Sequence, residues 1–180
     1  MKRIIGLTGL CLILSSTLMA QQRSAGQWIG KIAGGANISN KGYYIEIGTE
    51  KIIKNSPSSL QISFIYNDNN FSTKTDKCVS VENYIGTLYY TYAFLTNSIV
   101  RISLLGGGFI GQQTVPEKVI EGVLVNHESK FNYGISAAAQ VEFVVSRKIG
   151  LYLQPTVLHS FPSKVESTSF MAGLGVKYYF

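Results

Sequence analysis

Ala172-Gly173-Leu174-Gly175-Val176-Lys177-Tyr178-Tyr179-Phe180 closes the sequence on an alternation. In an extended strand Ala172, Leu174, Val176, Tyr178 and Phe180 share one face, against Gly173, Gly175 and Lys177 on the other. Successive strand side chains point to opposite sides, so one face here is apolar and the other carries small residues and a charge. The same period of two recurs upstream. Tyr43, Ile45 and Ile47 oppose Tyr44, Glu46 and Gly48. Leu60, Ile62, Phe64 and Tyr66 oppose Gln61 and Ser63, and Val141, Phe143 and Val145 oppose Gln140 and Glu142. Eight strands are expected, near Gln27–Gly35, Gly42–Ile53, Ser59–Asn67, Val79–Leu95, Ser98–Gln113, Phe131–Val145, Ile149–Ser160 and Ser169–Phe180. Val79–Leu95 is apolar or aromatic on both faces, so pattern does not fix its register.

Composition agrees with strands. Eleven Tyr, nine Phe and eighteen Gly accompany only 14% charged residues, the opposite of a disordered chain. The connections alternate in length. Counting back from the last strand, Phe161–Thr168 is long, Ser146-Arg147-Lys148 short, Thr114–Lys130 long, Thr96-Asn97 short, Asp68–Cys78 long and Lys54–Ser58 short. Outer-membrane barrels have this asymmetry, because their periplasmic turns are short and their outward loops grow. A lipocalin-like barrel would keep its apolar face inside and wet its exterior. Here the polar parity holds Glu46, Arg101, Glu142 and Lys177 together with Gly48, Gly107, Gly173 and Gly175, which suits a narrow interior filled by side chains. Tyr43-Tyr44, Tyr89-Tyr90, Tyr92 and Tyr178-Tyr179 stand toward strand ends, where interfacial girdles lie. The expected fold is all-β: an eight-stranded antiparallel up-and-down transmembrane β-barrel. Glu46, Arg101, Glu142 and Lys177 are expected to form an ionic network inside it, with Arg101 paired to Glu46 or Glu142.

The start of the chain reads as an export signal. Met1-Lys2-Arg3 is basic, Ile4–Leu18 apolar, and Met19-Ala20 precedes the expected cleavage before Gln21. Residues 1–20 are then a signal peptide and 21–180 one barrel domain, bound for the outer membrane. Loss of Lys2 and Arg3 takes the net charge from +6 to +4, too little to argue for direct nucleic-acid binding. Cys11 leaves with the signal, so Cys78 has no intrachain partner. No other window offers the roughly 18 apolar residues of a membrane-spanning helix.

Candidate chemistry is sparse. His159-Ser160 invites comparison with the base and nucleophile of lipid hydrolases, but neighbours on a strand point apart and cannot share the hydrogen bond required. His127, with Glu128 and Ser129, reads as a solvated loop tip. Gly106-Gly107-Gly108 lacks the lysine and helix of a phosphate loop and suits close packing in a small barrel. No catalytic residue, cofactor, metal site or small-molecule substrate is expected. Gly175, Tyr178 and Phe180 resemble the C-terminal signal by which outer-membrane barrels are recognised for insertion.

Longer stretches carry a family resemblance. Tyr84-Ile85-Gly86-Thr87-Leu88-Tyr89-Tyr90-Thr91-Tyr92-Ala93-Phe94 and Ser103-Leu104-Leu105-Gly106-Gly107-Gly108-Phe109-Ile110-Gly111 lead it. Tyr133-Gly134-Ile135-Ser136-Ala137-Ala138-Ala139-Gln140-Val141-Glu142, Arg147-Lys148-Ile149-Gly150-Leu151 and the terminal strand continue it. Together they resemble the TraO-type conjugal transfer proteins, outer-membrane components encoded by conjugative transposons. Members often begin the mature chain with Gln-Arg-Cys, where this chain has Gln22-Arg23-Ser24. The resemblance implies a non-enzymatic accessory of a conjugative DNA-transfer apparatus, with outer-membrane lipid and other apparatus proteins as partners. Thr114–Lys130, with Glu117, Lys118, Glu121, His127, Glu128 and Lys130, is the expected contact loop. A general envelope-stabilising or adhesin-like barrel is the alternative, and an outer-membrane lipid-modifying enzyme the third reading.

Overall fold

The computed structural model describes residues 26–72, 78–97, 99–115, 118–120, 123–125, 128–161 and 167–180, with side chains described outside 70–79 and 115–128. The expected signal peptide and, in the expected contact loop, Glu117, Glu121 and His127 lie outside the described residues.

Ten strands form in chain order: β1 Trp28–Asn37, β2 Gly42–Ile52, β3 Ser58–Ser72, β4 Cys78–Thr96, β5 Val100–Val115, β6 Lys118–Ile120, β7 Val123–Val125, β8 Glu128–Val144, β9 Ile149–Ser160 and β10 Thr168–Tyr179. Eight of them close a barrel in the order β1-β10-β9-β8-β5-β4-β3-β2, every neighbouring pair antiparallel. β6 and β7 form a separate hairpin in the β5–β8 connection. Closure of β1 on β10 leaves no open sheet edge around the body of the barrel, the condition for a sheet to cross lipid. The fold is an eight-stranded antiparallel up-and-down β-barrel of the outer-membrane type.

Three short turns join β2 to β3, β4 to β5 and β8 to β9 at one end, where Trp28 and Phe180 also lie. Asn55 adopts the left-handed conformation in the first of these turns, φ 57°, which a short polar side chain tolerates. The other end rises unevenly. β3 runs on past its β2 partners through 69–72, and β8 past its β9 partners through 128–133. Two expectations are corrected here. The polar run Asp68–Cys78 is mostly strand at both ends, and Thr114–Lys130 is two strand extensions plus the β6–β7 hairpin. Asn69 falls in the expected loop, yet it is buried inside the barrel beside Asn67, the last residue of the expected strand, and is held by a hydrogen bond from the Asn37 side-chain amide at 2.7 Å.

The wall sorts its faces as lipid demands. Ile45, Ile47, Ile62, Phe64, Leu88, Leu104, Ile135, Leu151, Leu153 and Leu174 are all exposed on the outside. Between Lys51 at the short-turn end and Asp68 and Glu82 at the other, the outward strand positions described hold no Asp, Glu, Lys or Arg. Tyr43, Tyr66 and Tyr84 pack in an outward chain toward the uneven end, with ring centroids 6.2 and 5.3 Å apart, and Phe131, Tyr133 and Phe161 extend that belt at 6.4 and 6.0 Å. Trp28, Tyr90, Tyr92, Phe94, Tyr178 and Phe180 are exposed toward the short-turn end. Two aromatic belts therefore bracket an aliphatic band. Not every end tyrosine joins them: Tyr44, Tyr89 and Tyr179 face inward. The strand of ambiguous register, β4, turns Val81, Ile85, Tyr89 and Ala93 inside and Leu88, Tyr90 and Tyr92 outside.

Candidate functional site: the barrel interior and the terminal strand

The inward positions form strata. Ile29, Ile52 and Tyr179 close the short-turn end. Above them lies a charged layer, then an apolar cluster of Tyr44, Ile65, Ile85, Phe109, Leu158 and Met171. Amides and hydroxyls fill the uneven end, where Asn37 bonds the Ser169 hydroxyl at 2.8 Å beside Asn67, Asn69 and Asn83. Eight strands leave room for side chains and little else, and these strata use that room.

The charged layer contains Glu46, Arg101, Glu142 and Lys177 and adds Lys31 and Glu50. Lys177, fully buried, is its centre: its ammonium lies 2.6 Å from Glu50 and 3.3 Å from Glu142, and donates to the Gln140 side-chain oxygen Oε1 at 2.7 Å. Arg101 reaches the same Glu142 carboxylate at 3.3 Å. Glu46 pairs with Lys31 at 2.8 Å rather than with Arg101. Three cations thus meet three carboxylates, an electroneutral set. Ser59 donates to Glu50 at 2.6 Å, and Gln140 bonds Gln154 at 2.9 Å, so neutral groups saturate much of the remaining capacity. The Tyr152 ring lies between the two lysines, 5.2 Å from the Lys31 nitrogen and 5.6 Å from that of Lys177. Buried ions of one sign would be very costly; paired and hydrogen-bonded ones are tolerated.

Glycines of β10 make space for this packing. A Cβ at Gly173 would collide with the Tyr44 hydroxyl, and one at Gly175 with the Tyr152 ring. Each tyrosine occupies space that a side chain at the glycine would need. That is a close-approach role, and no turn is involved.

Sequence reasoning omitted Lys31 and Glu50. Glu50 shares the parity of Glu46 in β2 and was within reach of the pattern. Lys31 was hidden because β1 places Gly and Ala on both faces, so its alternation is weak.

On the terminal strand, Tyr178 and Phe180 face outward, their rings in edge contact at 5.1 Å, while Gly175 faces in. Phe180 is tied to β1: its amide donates to the Trp28 carbonyl at 3.1 Å, and the Gln27 side chain donates to its carbonyl at 3.2 Å. His159 faces outward and shares a 2.9 Å hydrogen bond with the Thr168 hydroxyl, while Ser160 is buried on the inner side. The two are not brought together. Among the described residues, no three His, Cys, Asp or Glu side chains stand together as a metal site.

A closed eight-stranded barrel with a charged, packed interior and a belted apolar exterior defines the class of small outer-membrane-type β-barrels. Solved structures agree on the fold. Neisserial surface protein A superimposes with a TM-score of 0.67 at 16% identity, over 88% of this chain and all of that one. OprG of Pseudomonas aeruginosa gives 0.62 at 11%, over 89% and 98%. The attachment invasion locus protein Ail of Yersinia pestis gives 0.57 at 14%, over 87% and 100%. Among curated proteins, none matches this chain. The sequence profile of the conjugative transposon protein TraO matches residues 22–180. The chain belongs to the TraO family.

Proposed function

We propose that the protein is a non-enzymatic outer-membrane component of a conjugative DNA-transfer apparatus, acting as an anchor or scaffold. The observation that carries this reading is membership of the TraO family over nearly the whole chain. The packed interior supports the scaffold role over a conduit, because neither DNA nor protein fits through an eight-stranded barrel filled with side chains. Residues 1–20 act as an export signal, and the short-turn end faces the periplasm. Gly175, Tyr178 and Phe180 serve as the assembly signal, and the ionic layer serves to fill the barrel. The outward, Thr168-bonded His159 and inward Ser160 speak against the lipid-enzyme reading.

Partners are reached from both ends. Arg147 and Lys148 are exposed in the β8–β9 turn on the periplasmic side, and the Thr114–Lys130 connection joins β5 to β8 at the opposite end. Crosslinkers placed at Arg147 or Lys148 in donor cells carrying the element should capture apparatus proteins, and fractionation should return the barrel with outer membranes. Recovery as a soluble periplasmic protein would reject the membrane reading. Correct location with no apparatus protein captured from either end would leave the envelope-stabilising or adhesin-like barrel.

A further inference from the structure

Trp28 and Lys51 are direct cross-strand partners at the short-turn end of β1 and β2. Both are exposed on the outer wall, and the Lys51 ammonium sits 4.9 Å over the Trp28 ring centroid. Further along the same strands the wall is hollow. A groove of 770 Å³ opens outward across β10, β1, β2, β3 and β4. Its floor is low because Gly30 and Gly86 have no side chain and Thr49 a short one. Ile32, Ile47, Ile62, Phe64, Tyr178 and Phe180 form its walls. The Phe180 ring borders Gly30 closely, 3.3 Å from where a Cβ would stand. At Gly86 the nearest atom to such a Cβ is 3.8 Å away, so that part of the groove is open.

The groove alone would suit any acyl chain, since it lies in the aliphatic band. Beyond the groove lining, Lys51 is the next outward position of β2 after Thr49 and adds a cation toward the short-turn end. Lys51 is fixed by the indole face at the level of the aromatic belt, where a lysine presents its charge to headgroups while its stem covers apolar surface. Among the described residues, the nearest outward acidic side chains in this sector, Asp68 and Glu82, stand at the opposite end of the barrel; the α-carboxylate of Phe180 is the anion at this end, and the Gln27 side-chain amide donates to the Phe180 carbonyl oxygen at 3.2 Å.

We propose that this groove binds an anionic phospholipid of the periplasmic leaflet, with one acyl chain along Gly30, Thr49 and Gly86 and the headgroup phosphate on Lys51. This rests on the outer-membrane reading above.

The full chain is reconstituted into phosphatidylcholine vesicles containing a minority of phosphatidylglycerol, extracted in mild detergent, and weighed by native mass spectrometry. The wild type should retain one phosphatidylglycerol in preference to phosphatidylcholine by about fivefold, the factor expected from about 1 kcal/mol per lysine near anionic lipid. Lys51→Gln should remove the preference while some lipid is still retained. Gly86→Leu, which fills the groove, should lower retention of both lipids. Gly106→Leu, facing outward where an added Cβ meets nothing within 4 Å, should change neither. Heat-dependent gel mobility checks that each variant has folded. No preference in the wild type, or a preference untouched by Lys51→Gln and Gly86→Leu, would overturn the site and leave only ordinary annular lipid. Failure of the wild type to insert into vesicles would overturn the membrane reading, and the site with it.

Discussion

Lys177 stands between two carboxylates of the charged layer, Glu50 and Glu142, and substitution there should be damaging. Lys177→Met would leave Glu50 and Glu142 without their shared ammonium in a buried site. Breaking a buried pair by removing one partner costs about 3–5 kcal/mol. Either variant leaves Glu142 one cation at 3.3 Å, but Lys177→Met also removes the 2.6 Å contact to Glu50, so Arg101→Leu should cost less. Urea unfolding from lipid vesicles, followed by Trp28 fluorescence, measures the order. Equal stability of both variants and wild type would mean the layer is hydrated. At this scale the sequence was partly legible. Parity placed Glu46, Arg101, Glu142 and Lys177 on the inward face, because an uncompensated charge in lipid is so costly that alternation is enforced. Partner choice was not legible. Whether Arg101 meets Glu46 or Glu142 depends on the register between β5 and β8, which sets Arg101 directly opposite Glu142.

The strand is the scale at which the pattern spoke most clearly, and β10 most of all. Its outward stripe of Leu174, Val176, Tyr178 and Phe180 and its inward Gly173, Gly175 and Lys177 are as the alternation implies. β3 and β4 were less legible at their outer ends, because Asn and Asp are depleted in strands; here the buried Asn67 and Asn69 accept hydrogen bonds from the Asn37 side-chain amide of β1, and Asp68 accepts one from the Ser80 hydroxyl. Among the described residues β6 and β7 pair with each other and not with a barrel strand, so nothing in the barrel's pattern announces them. Deleting Phe180 removes the ring that borders Gly30 and the backbone bond to Trp28. It should sharply reduce the heat-modifiable folded band in cells, whereas Glu121→Ala in the β5–β8 connection should leave that band near the wild-type level. Equal folded yields would separate the terminal residue from assembly. Gly173→Val should also impair folding, through its collision with Tyr44; a normal yield would show that Tyr44 moves aside easily.

The molecule as a whole is a closed wall around a filled interior, and this bears on what it can transmit. The electroneutral layer of Lys31, Glu46, Glu50, Arg101, Glu142 and Lys177 spans the lumen below an apolar cluster. In planar bilayers the purified barrel should show no stable stepwise conductance, and open steps of porin size would contradict a packed lumen. Any part it takes in DNA transfer must then run through proteins it holds in place. The most direct measurement is the transfer frequency of the conjugative element from donors lacking this gene, with and without complementation in trans. The expected result is a marked drop in transfer, normal growth, lower levels of partner proteins in the envelope, and restoration by the wild-type gene. Unchanged transfer with unchanged partner levels would contradict a role in conjugation.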